Sequence, residues 1–429
     1  WIIEDCEISD SRCSGISLGK YLQPENENKW TRGFVKNGTQ TERDAICQAQ
    51  MEGWTKENIG SHIVRRCNIH DCGQTGIVGH LGGVFSIIEH NHIHHINNKQ
   101  DLKGAEIGGI KMHAAIDVII RNNHIHHCTR GLWLDWQAQG TRVSQNLFHD
   151  NVPPKGTEME NALSVGEDIF VEVSHGPTLI DNNLLLSPCA GRLSTQGLAF
   201  VHNLISGSFT WVGAGVENQG IKYPTPRYTP YHMHHRTEVA GFMTILHGDV
   251  RFYNNVFIQM PVREDIESFA KQKGWADMKN IQLLVGTKPY DGYPTAKEYF
   301  DKFDEKSTLT ERDLFYSPLP IYTGENVYFN GAEPCDHEVK PIVEKQKVTL
   351  VLIEDENGWK IISNYSKYLK ERVSLIDTET LGEAFEPEQK FEAPDGTPIL
   401  FDEDYFGKRS YERIPGPFCT EDESGMYLA

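Results

Sequence analysis

A short phrase that recurs through the first 260 residues constrains the fold more than any other feature of this sequence. Each copy has an apolar run, then an Asn, then a second strand-like run, as in VIIRNNHIHH at 118–127 and LIDNNLLLS at 179–187. Successive leading Asn residues are 20 to 37 residues apart. An Asn at a fixed turn position suits a ladder of stacked side chains. The leading residues are Asn68, Asn91, Asn123, Asn146, Asn183 and Asn203.

A second phrase lies between the copies of the first. It starts with a small or polar residue and then alternates apolar and variable positions, as in GIKMH at 109–113, GLWLD at 131–135 and DIFVE at 168–172. The two phrases share a basic period of about 22 residues. A β unit of this length cannot bury its own apolar face, whereas stacked coils can. We therefore predict a mainly β chain built as a right-handed parallel β-helix, and the Leu frame of leucine-rich repeats is absent.

Interruptions of the repeat predict the domain organisation. Extra residues fall at about 20–60, 92–108 and 150–167, and we expect the last two to emerge as loops beside the binding face. We expect the first insertion to be a polar surface excursion. After residue 260 the repeat fades. We predict a β-helix over 1–260 that carries the catalytic face, and a C-terminal extension over 261–429 with helical and β-hairpin segments.

Composition excludes several classes of partner. The formal net charge is −19, which disfavours nucleic acid and anionic membranes as partners but does not disfavour a neutral sugar. No run of 18 apolar residues is present, so we expect no membrane span. The nine cysteines are odd in number and form no CxxC pair, which favours reduced thiols. With no recognisable signal peptide, a cytoplasmic location is expected.

Alternation along the second phrase predicts a column of reactive side chains. The second and fourth residues of each copy are apolar and face the interior, so the fifth residues face outward. The fifth residues are His80, His113, Asp135 and Glu172. Equivalent positions on neighbouring coils are about 4.8 Å apart. Two carboxylates at that separation favour a retaining glycosidase, which needs about 5–5.5 Å between them.

The neighbours of the two carboxylates suggest their roles. Two carboxyl groups this close do not both ionise easily, so one keeps a proton near neutral pH. Asp135 lies beside His113 in the column, with Lys111 nearby, which favours an ionised nucleophile. Glu172 follows a long insertion that can desolvate it, and we assign it the general acid and base role.

Further residues around the column are candidates for sugar binding. The aromatic rings of Trp133, Trp136 and Phe170 offer flat faces to a sugar, with packing as the alternative. Glu106 lies in a Gly-rich loop that allows close approach to hydroxyl groups. The remaining candidates for substrate contact are His113, Lys111, Gln137 and His175.

Two HIHH runs, at 92–95 and 124–127, occupy equivalent positions on neighbouring coils. Their spacing shows no closed tetrahedral ligand set, so we expect stacked histidine ladders and predict neither a metal nor a cofactor.

These blocks resemble glycoside hydrolase family 120, whose members are β-xylosidases built on a parallel β-helix. The most specific segments are WLDWQAQG at 133–140 and DIFVEVSHGP at 168–177, with weaker likeness in GAEIGGIKMH at 104–113 and YFNGAEP at 328–334. The resemblance implies that Asp135 is the nucleophile, Glu172 the acid/base and Glu106 a sugar ligand. It also implies an exo-acting, retaining enzyme that releases xylose from xylo-oligosaccharides.

Two departures from the family pattern affect the expected substrate pocket. An insertion separates Asp135 from Glu172, which bears on the preference for the leaving group. The family joins a β-sandwich to the early part of the helix, and nothing before residue 60 resembles one. We therefore expect that this chain lacks the β-sandwich or that it was removed. If the β-sandwich shapes the site, we expect two chains to build the pocket, and we predict a homo-oligomer.

Other functions remain open at this stage. Another retaining pentosidase, such as an α-L-arabinofuranosidase, fits the same carboxylate pair. A polysaccharide lyase acting on uronic acids usually needs a Ca²⁺ cluster or a basic group, and the column contains no Arg. A non-catalytic carbohydrate-binding β-helix would show outward Asn, Thr or Ser ladders instead.

Overall fold

The fold is described from a computed structural model that covers residues 1–20, 38–102, 106–157, 166–212, 227–271, 283–369, 372–419 and 425–428. Parts of the three predicted insertions lie outside the described residues, namely 21–37, 103–105 and 158–165.

Short strands account for most of the regular structure. In chain order they are β1 (Ile2–Glu4), β2 (Glu7–Ser9), β3 (Ser14–Lys20), β4 (Ile63–Arg65), β5 (Asn68–His70), β6 (Thr75–His80), β7 (Ile87–Glu89), β8 (His92–His94), β9 (Gly108–His113), β10 (Ile119–Arg121), β11 (His124–His126), β12 (Leu132–Asp135), β13 (Thr141–Ser144), β14 (Leu147–His149), β15 (Ile169–Glu172), β16 (Thr178–Asp181), β17 (Leu184–Leu185), β18 (Cys189–Ser194), β19 (Gln196–Val201), β20 (Leu204–Ile205), β21 (Ser208–Val212), β22 (Tyr228–His232), β23 (Val239–Thr244), β24 (Gly248–Tyr253), β25 (Val256–Ile258), β26 (Ile321–Gly324), β27 (Val327–Phe329), β28 (Ile342–Val343), β29 (Leu350–Asp355), β30 (Gly358–Ser363) and β31 (Met426–Leu428). The helices are α1 (Gly38–Met51), α2 (Glu264–Lys271), α3 (Ala296–Asp301), α4 (Glu311–Phe315) and α5 (Thr378–Leu381), with short 3-10 helices at Lys288–Tyr290 and Tyr365–Tyr368.

Three parallel sheets form the body of the protein. Sheet 1 has the order β1-β4-β7-β10-β13-β16-β19-β24-β26, sheet 2 the order β2-β5-β8-β11-β14-β17-β20-β25-β27-β28, and sheet 3 the order β21-β18-β15-β12-β9-β6-β3. Each coil gives one strand to each sheet in turn, as β10, β11 and β12 do. This is the right-handed parallel β-helix that the repeat predicts.

The interior of the solenoid follows from the period-2 alternation of the strands. The apolar second and fourth positions of the repeated phrase all belong to one buried cluster, and these are Ile110, Met112, Leu132, Leu134, Ile169 and Val171. Their neighbours at the third and fifth positions therefore project outward from sheet 3. This alternation places the reactive column on the outer face of that sheet.

The predicted Asn ladder is present, with one change at its start and an extension at its end. Each side-chain amide donates to the carbonyl oxygen of the next Asn at 2.9–3.1 Å, from Asn91 through Asn123, Asn146, Asn183, Asn203 and Asn255 to Asn326. Asn68 is not a member, because it pairs with His92 in β8 and Cys67 occupies the ladder position. The left-handed backbone falls on the residue before each ladder position, for example Asn122.

Segments outside the repeat cover the outer faces of the sheets. The predicted hairpin at 348–363 forms as β29 and β30, and its apolar residues pack on Leu147, Leu184 and Leu204 of sheet 2. Residues 376–401 pack in the same way on sheet 1. Sheets 1 and 2 continue past residue 260 through β26 and β27. The division into two domains at that residue stays a prediction.

All nine cysteines are free, and six of them are buried, as expected for reduced thiols in strand-like segments. Within the described residues, no helix has the length and apolar character needed to cross a membrane.

Candidate active site

The reactive column has the register that the repeat predicts. His80 pairs with His113 across β6 and β9, His113 pairs with Asp135 across β9 and β12, and Asp135 pairs with Glu172 across β12 and β15. The next member is Ser194 on β18. Asp135 and Glu172 therefore occupy the same place on adjacent strands, which lie about 4.8 Å apart.

Asp135 is buried beneath two basic side chains. Lys111 Nζ lies 3.1 Å from Asp135 Oδ2, and His113 Nε2 lies 3.4 Å from the same oxygen. Lys111 is fully buried and also pairs with Glu106 Oε2 at 2.5 Å. Because the Glu106 side chain is 37% exposed, it forms the outer edge of this group. Four of the predicted site residues are thus in one network.

The charges in this network shift the pKa values of its members. Burial raises the pKa of Glu106, but His113 and Lys111 outweigh it and lower that pKa to about 2. Burial lowers the pKa of His113, but the carboxylates of Asp135, Glu106 and Glu42 raise it above the usual value. Burial raises the pKa of Asp135, and Lys111 and His113 only partly oppose this.

Glu172 has a different environment from the one expected. Burial raises its pKa, but the guanidinium groups of Arg227, Arg192 and Arg130 outweigh that effect and lower it below the usual value. Arg227 Nη1 donates a hydrogen bond directly to Glu172 Oε1. The arginines therefore favour the ionised form of Glu172, whereas burial favours the protonated form of Asp135, and both directions are opposite to those expected from the assigned roles.

The aromatic residues of sheet 3 form a stack rather than an open platform. The rings of Trp133 and Phe170 are 5.0 Å apart at 25° on adjacent strands. Lys111 Nζ lies 4.8 Å and the Arg130 guanidinium 4.3 Å from the centroid of the Trp133 ring. Arg192 covers the Phe170 ring at 4.5 Å. The protein itself therefore occupies the faces that were expected to bind sugar, and this packing favours a structural role for both rings.

Trp136 is also buried, against Val173 and Ile245. The Arg227 guanidinium lies over its ring, 5.1 Å from the centroid. Trp136 therefore helps to position the arginine that contacts Glu172.

Two predicted substrate ligands are turned away from the column. Gln137 is buried, and its amide contacts Glu42 Oε1 at 2.9 Å and His232 Nε2 at 3.0 Å. His175 is buried, and its ring nitrogens contact the Thr229 carbonyl oxygen and the Gln196 amide, each at 3.2 Å. Since these polar atoms are already engaged, the structure favours a positioning role for Gln137 and His175 over contact with substrate.

Helix α1 contributes a carboxyl group that the sequence did not indicate. Glu42 is buried, lies 3.9 Å from His113 Nδ1 and contacts the Gln137 amide. Burial raises the pKa of Glu42, although His113 partly opposes this. The insertion expected to be a surface excursion thus places part of a helix behind the column.

The hydrogen-bond chain continues beyond Glu42. The Gln137 NH₂ group donates to Glu42 Oε1, and the Gln137 carbonyl oxygen lies 3.0 Å from His232 Nε2. Burial lowers the pKa of His232 to about 4, and its Nδ1 lies 2.8 Å from the Thr237 carbonyl oxygen.

One further group of this site has the composition of a cation site. One ligand atom from each of Glu42, His80 and His113 lies within 4.8 Å of the others. The Lys111 ammonium group contacts His113 Nε2 directly. A positive charge in that position opposes the binding of a metal ion here.

The three arginines around Glu172 were missed for different reasons. Arg192 was within reach of the repeat, since it pairs with Phe170, but the phrase GRLST counts it as the second residue and so placed it one position out of register. Arg130 precedes a repeated phrase and forms a buried ion pair with Glu167 at 2.9 Å. Arg227 precedes β22, which lies outside the repeat, and no local signal indicated it. The absence of Arg from the predicted column therefore gives no argument against acidic sugars.

Comparisons with known proteins agree with the fold. Residues 1–208 match a family model described as a right-handed β-helix region. A solved structure of XylC in complex with xylose is 38% identical in sequence, with a TM-score of 0.81. The match covers 99% of this chain and 60% of the XylC chain, so this chain spans about three fifths of the length of that protein. A search of curated proteins found no match.

Proposed function

We propose that this chain is an exo-acting, retaining β-xylosidase of glycoside hydrolase family 120 that releases xylose from xylo-oligosaccharides. The observation that carries the proposal is the pairing of Asp135 with Glu172 on adjacent strands. Their strand separation of about 4.8 Å fits the short distance between carboxyl groups in retaining glycosidases. The likeness to XylC, which was solved with xylose, supports the choice of sugar.

The proposed reaction has two displacement steps at the anomeric carbon. In the first, a carboxylate oxygen of Asp135 bonds to this carbon while the glycosidic bond breaks, and Glu172 gives its proton to the departing oxygen. In the second, Glu172 takes a proton from water, whose oxygen attacks the same carbon and releases Asp135. Two inversions leave the product with the starting configuration.

The basic residues around Asp135 have defined tasks in this scheme. Lys111 and His113 both face Asp135 Oδ2, which holds the carboxylate in one orientation and leaves Oδ1 for attack. Asp135 Oδ1 is buried and accepts no hydrogen bond from the described residues. Glu106, ionised and partly exposed, is placed to accept hydrogen bonds from sugar hydroxyl groups.

The contact between Arg227 and Glu172 must change before the first step. A general acid needs its proton, whereas this guanidinium favours the carboxylate. In the proposal, the glycosidic oxygen of the substrate takes the place of Arg227 at Glu172. Loss of the nearby cation then raises the pKa of Glu172, which favours the protonated form that the first step needs.

The deciding experiment is proton NMR of the first product formed from an aryl β-xyloside. We expect β-xylose to appear before mutarotation mixes the anomers. Initial release of α-xylose would overturn the retaining mechanism, and the absence of turnover would favour a non-catalytic sugar-binding β-helix. Parallel assays with aryl α-L-arabinofuranoside distinguish the other pentosidase.

The arginines favour a second candidate, a lyase acting on uronic acids. Arg227 contacts Glu172, and Arg192 lies on the next strand, so both are placed to neutralise the carboxylate of such a sugar. A lyase would form an unsaturated product from polyuronate, which ultraviolet absorbance detects.

A homo-oligomer and a cytoplasmic location remain part of the proposal. Light scattering of the purified protein tests the oligomeric state.

A further inference from the structure

A group of histidines on the outer face of sheet 2 is separate from the candidate active site on sheet 3. The inward-facing residues of these strands, Ile93, Ile125 and Phe148, belong to the core, so the flanking histidines point outward. The rings of His92 and His124 stack at 4.8 Å, and those of His126 and His149 at 4.7 Å. The expected ladder is thus present. We call His92, His124, His126 and His149 the histidine cluster.

The ring nitrogens of the cluster face one another at short distances. His92 Nε2 lies 2.7 Å from His126 Nε2, and His124 Nε2 lies 2.8 Å from His149 Nε2. One nitrogen from each of His92, His124 and His126 lies within 4.8 Å of the other two. Around a cation with bonds of about 2.0–2.1 Å, tetrahedral nitrogen ligands lie about 3.3 Å apart. Small ring movements are enough to reach that arrangement.

The cluster is held in the neutral form that binds metals. Burial lowers the pKa of His92 to about 4 and that of His124 to about 2. Burial also lowers the pKa of His126 and, less strongly, that of His149. Protons therefore compete little for the ring lone pairs at neutral pH.

His149 has the second contact that is typical of a metal ligand. Its Nδ1 donates to Asp150 Oδ2 at 2.7 Å, so a neutral ring has its lone pair at Nε2, facing His124. Metal-bound histidines commonly donate their other N–H to a carboxylate in this way, which fixes the tautomer and the ring orientation. A hydrogen bond between two neutral rings, His124 and His149, does not by itself need a carboxylate at the other nitrogen of His149.

Trp359 on β30 covers the cluster from outside. Its ring lies 4.3 Å from His149 and 5.3 Å from His124, measured between centroids. His92 remains partly exposed at the other side, which leaves an entry path. The cluster is therefore partly enclosed rather than a set of independent surface histidines.

We propose that the histidine cluster binds one divalent transition-metal cation of borderline softness, such as Zn²⁺, through His92, His124 and His126, with His149 as the fourth ligand. A site made only of imidazole nitrogens suits Zn²⁺, Ni²⁺ and Cu²⁺ and discriminates against Ca²⁺ and Mg²⁺. The metal would connect three coils of sheet 2 beneath the β29–β30 hairpin. Its role is structural, since the candidate active site lies on another sheet.

The test is a calorimetric titration of chelator-treated protein with Zn²⁺. The protein must have no polyhistidine tag, because a tag supplies the same ligands. We expect about one Zn²⁺ per chain with a Kd of about 10 μM or below, and a higher Tm on binding. His124→Gln should weaken binding by about 100-fold, and Asp150→Asn by about tenfold through its effect on His149.

His70→Gln is the matched control, because His70 lies on the same sheet face and stacks on His94 but does not belong to the histidine cluster. Its binding should equal that of the unaltered protein. If His124→Gln does not fold, Cu²⁺ binding to the unaltered protein is followed by electron paramagnetic resonance, where coupling to several nitrogens is expected. Absence of binding, equal affinity in the three variants, or a Cu²⁺ spectrum dominated by oxygen ligands would overturn the proposal.

Discussion

Arg227 donates a hydrogen bond to Glu172, and the same guanidinium lies over the ring of Trp136. The residue proposed as general acid is therefore paired with a cation. Because a paired carboxylate loses its proton more readily, this contact limits the fraction of the protein that is ready for the first displacement step.

The first prediction concerns the pH dependence of activity. Arg227 lowers the pKa of Glu172, so Arg227→Gln should raise it and keep Glu172 protonated to higher pH. The alkaline limb of kcat/KM, which reports on the free protein, should move upward by roughly one pH unit. Arg236→Gln is the control, because its ion pair with Glu238 is exposed and lies outside the site. A limb that stays in place or moves downward would contradict the acid role of Glu172.

The second prediction separates protonation from bond formation. Glu172→Ala should slow hydrolysis of xylosides with poor leaving groups by about 10²–10⁴-fold, because these need a proton on the departing oxygen. Substrates with acidic phenols as leaving groups should be affected least in the first step. Rates are compared across a series of aryl β-xylosides. An equal loss throughout the series would exclude Glu172 as the general acid.

The third prediction decides which carboxylate is the nucleophile. Asp135→Ala should lower turnover by roughly 10⁴-fold or more, and added azide should restore part of it by attack from the vacated side. The xylosyl azide formed should have the inverted configuration. Azide reacting with Glu172→Ala should give the retained configuration instead. NMR of the two azide products tests this, and the opposite pattern would exchange the roles of Asp135 and Glu172.

The fourth prediction concerns the buried Glu42. Its pKa is raised by burial, so the folded protein holds this proton more tightly than the unfolded chain does. The resulting contribution to stability is complete below the ordinary Glu pKa and is lost as pH rises through the raised pKa. Glu42→Gln lacks this titration.

From pH 5 to pH 8, the free energy of unfolding of Glu42→Gln should therefore fall less than that of the unaltered protein, by on the order of 1 kcal/mol. Denaturant unfolding at several pH values measures the difference. Glu52→Gln, an exposed change just after the same helix, should follow the unaltered protein. A difference between Glu42→Gln and the unaltered protein that does not vary with pH would show that Glu42 is already ionised at pH 5.

The sequence could predict the coils and the column because both follow from local periodicity. Alternation fixes which residues of GLWLD and DIFVE face outward, and the repeat fixes that Asp135 and Glu172 share a position. The charges around the pair could not be predicted in the same way. Arg227 and Glu42 reach the site from segments without the repeat, 55 and 95 residues away in sequence from Glu172 and Gln137, their respective partners. Tertiary packing alone brings these groups together.

The last prediction tests the register error at the start of the Asn ladder. Asn183 donates to Asn203, Val143 and Asp181 and accepts from Asn146, all in the buried turn. Asn183→Leu leaves these groups without partners, so it should destabilise the protein by about 3 kcal/mol or more. Asn68 lies one residue off the ladder. Within the described residues, its side chain contacts the partly exposed His94 ring at 3.1 Å. Asn68→Leu should therefore cost less than about 1 kcal/mol. Chemical denaturation of both variants measures the two values, and similar losses would mean that Asn68 occupies a ladder position after all, since only a ladder residue connects the turns of neighbouring coils.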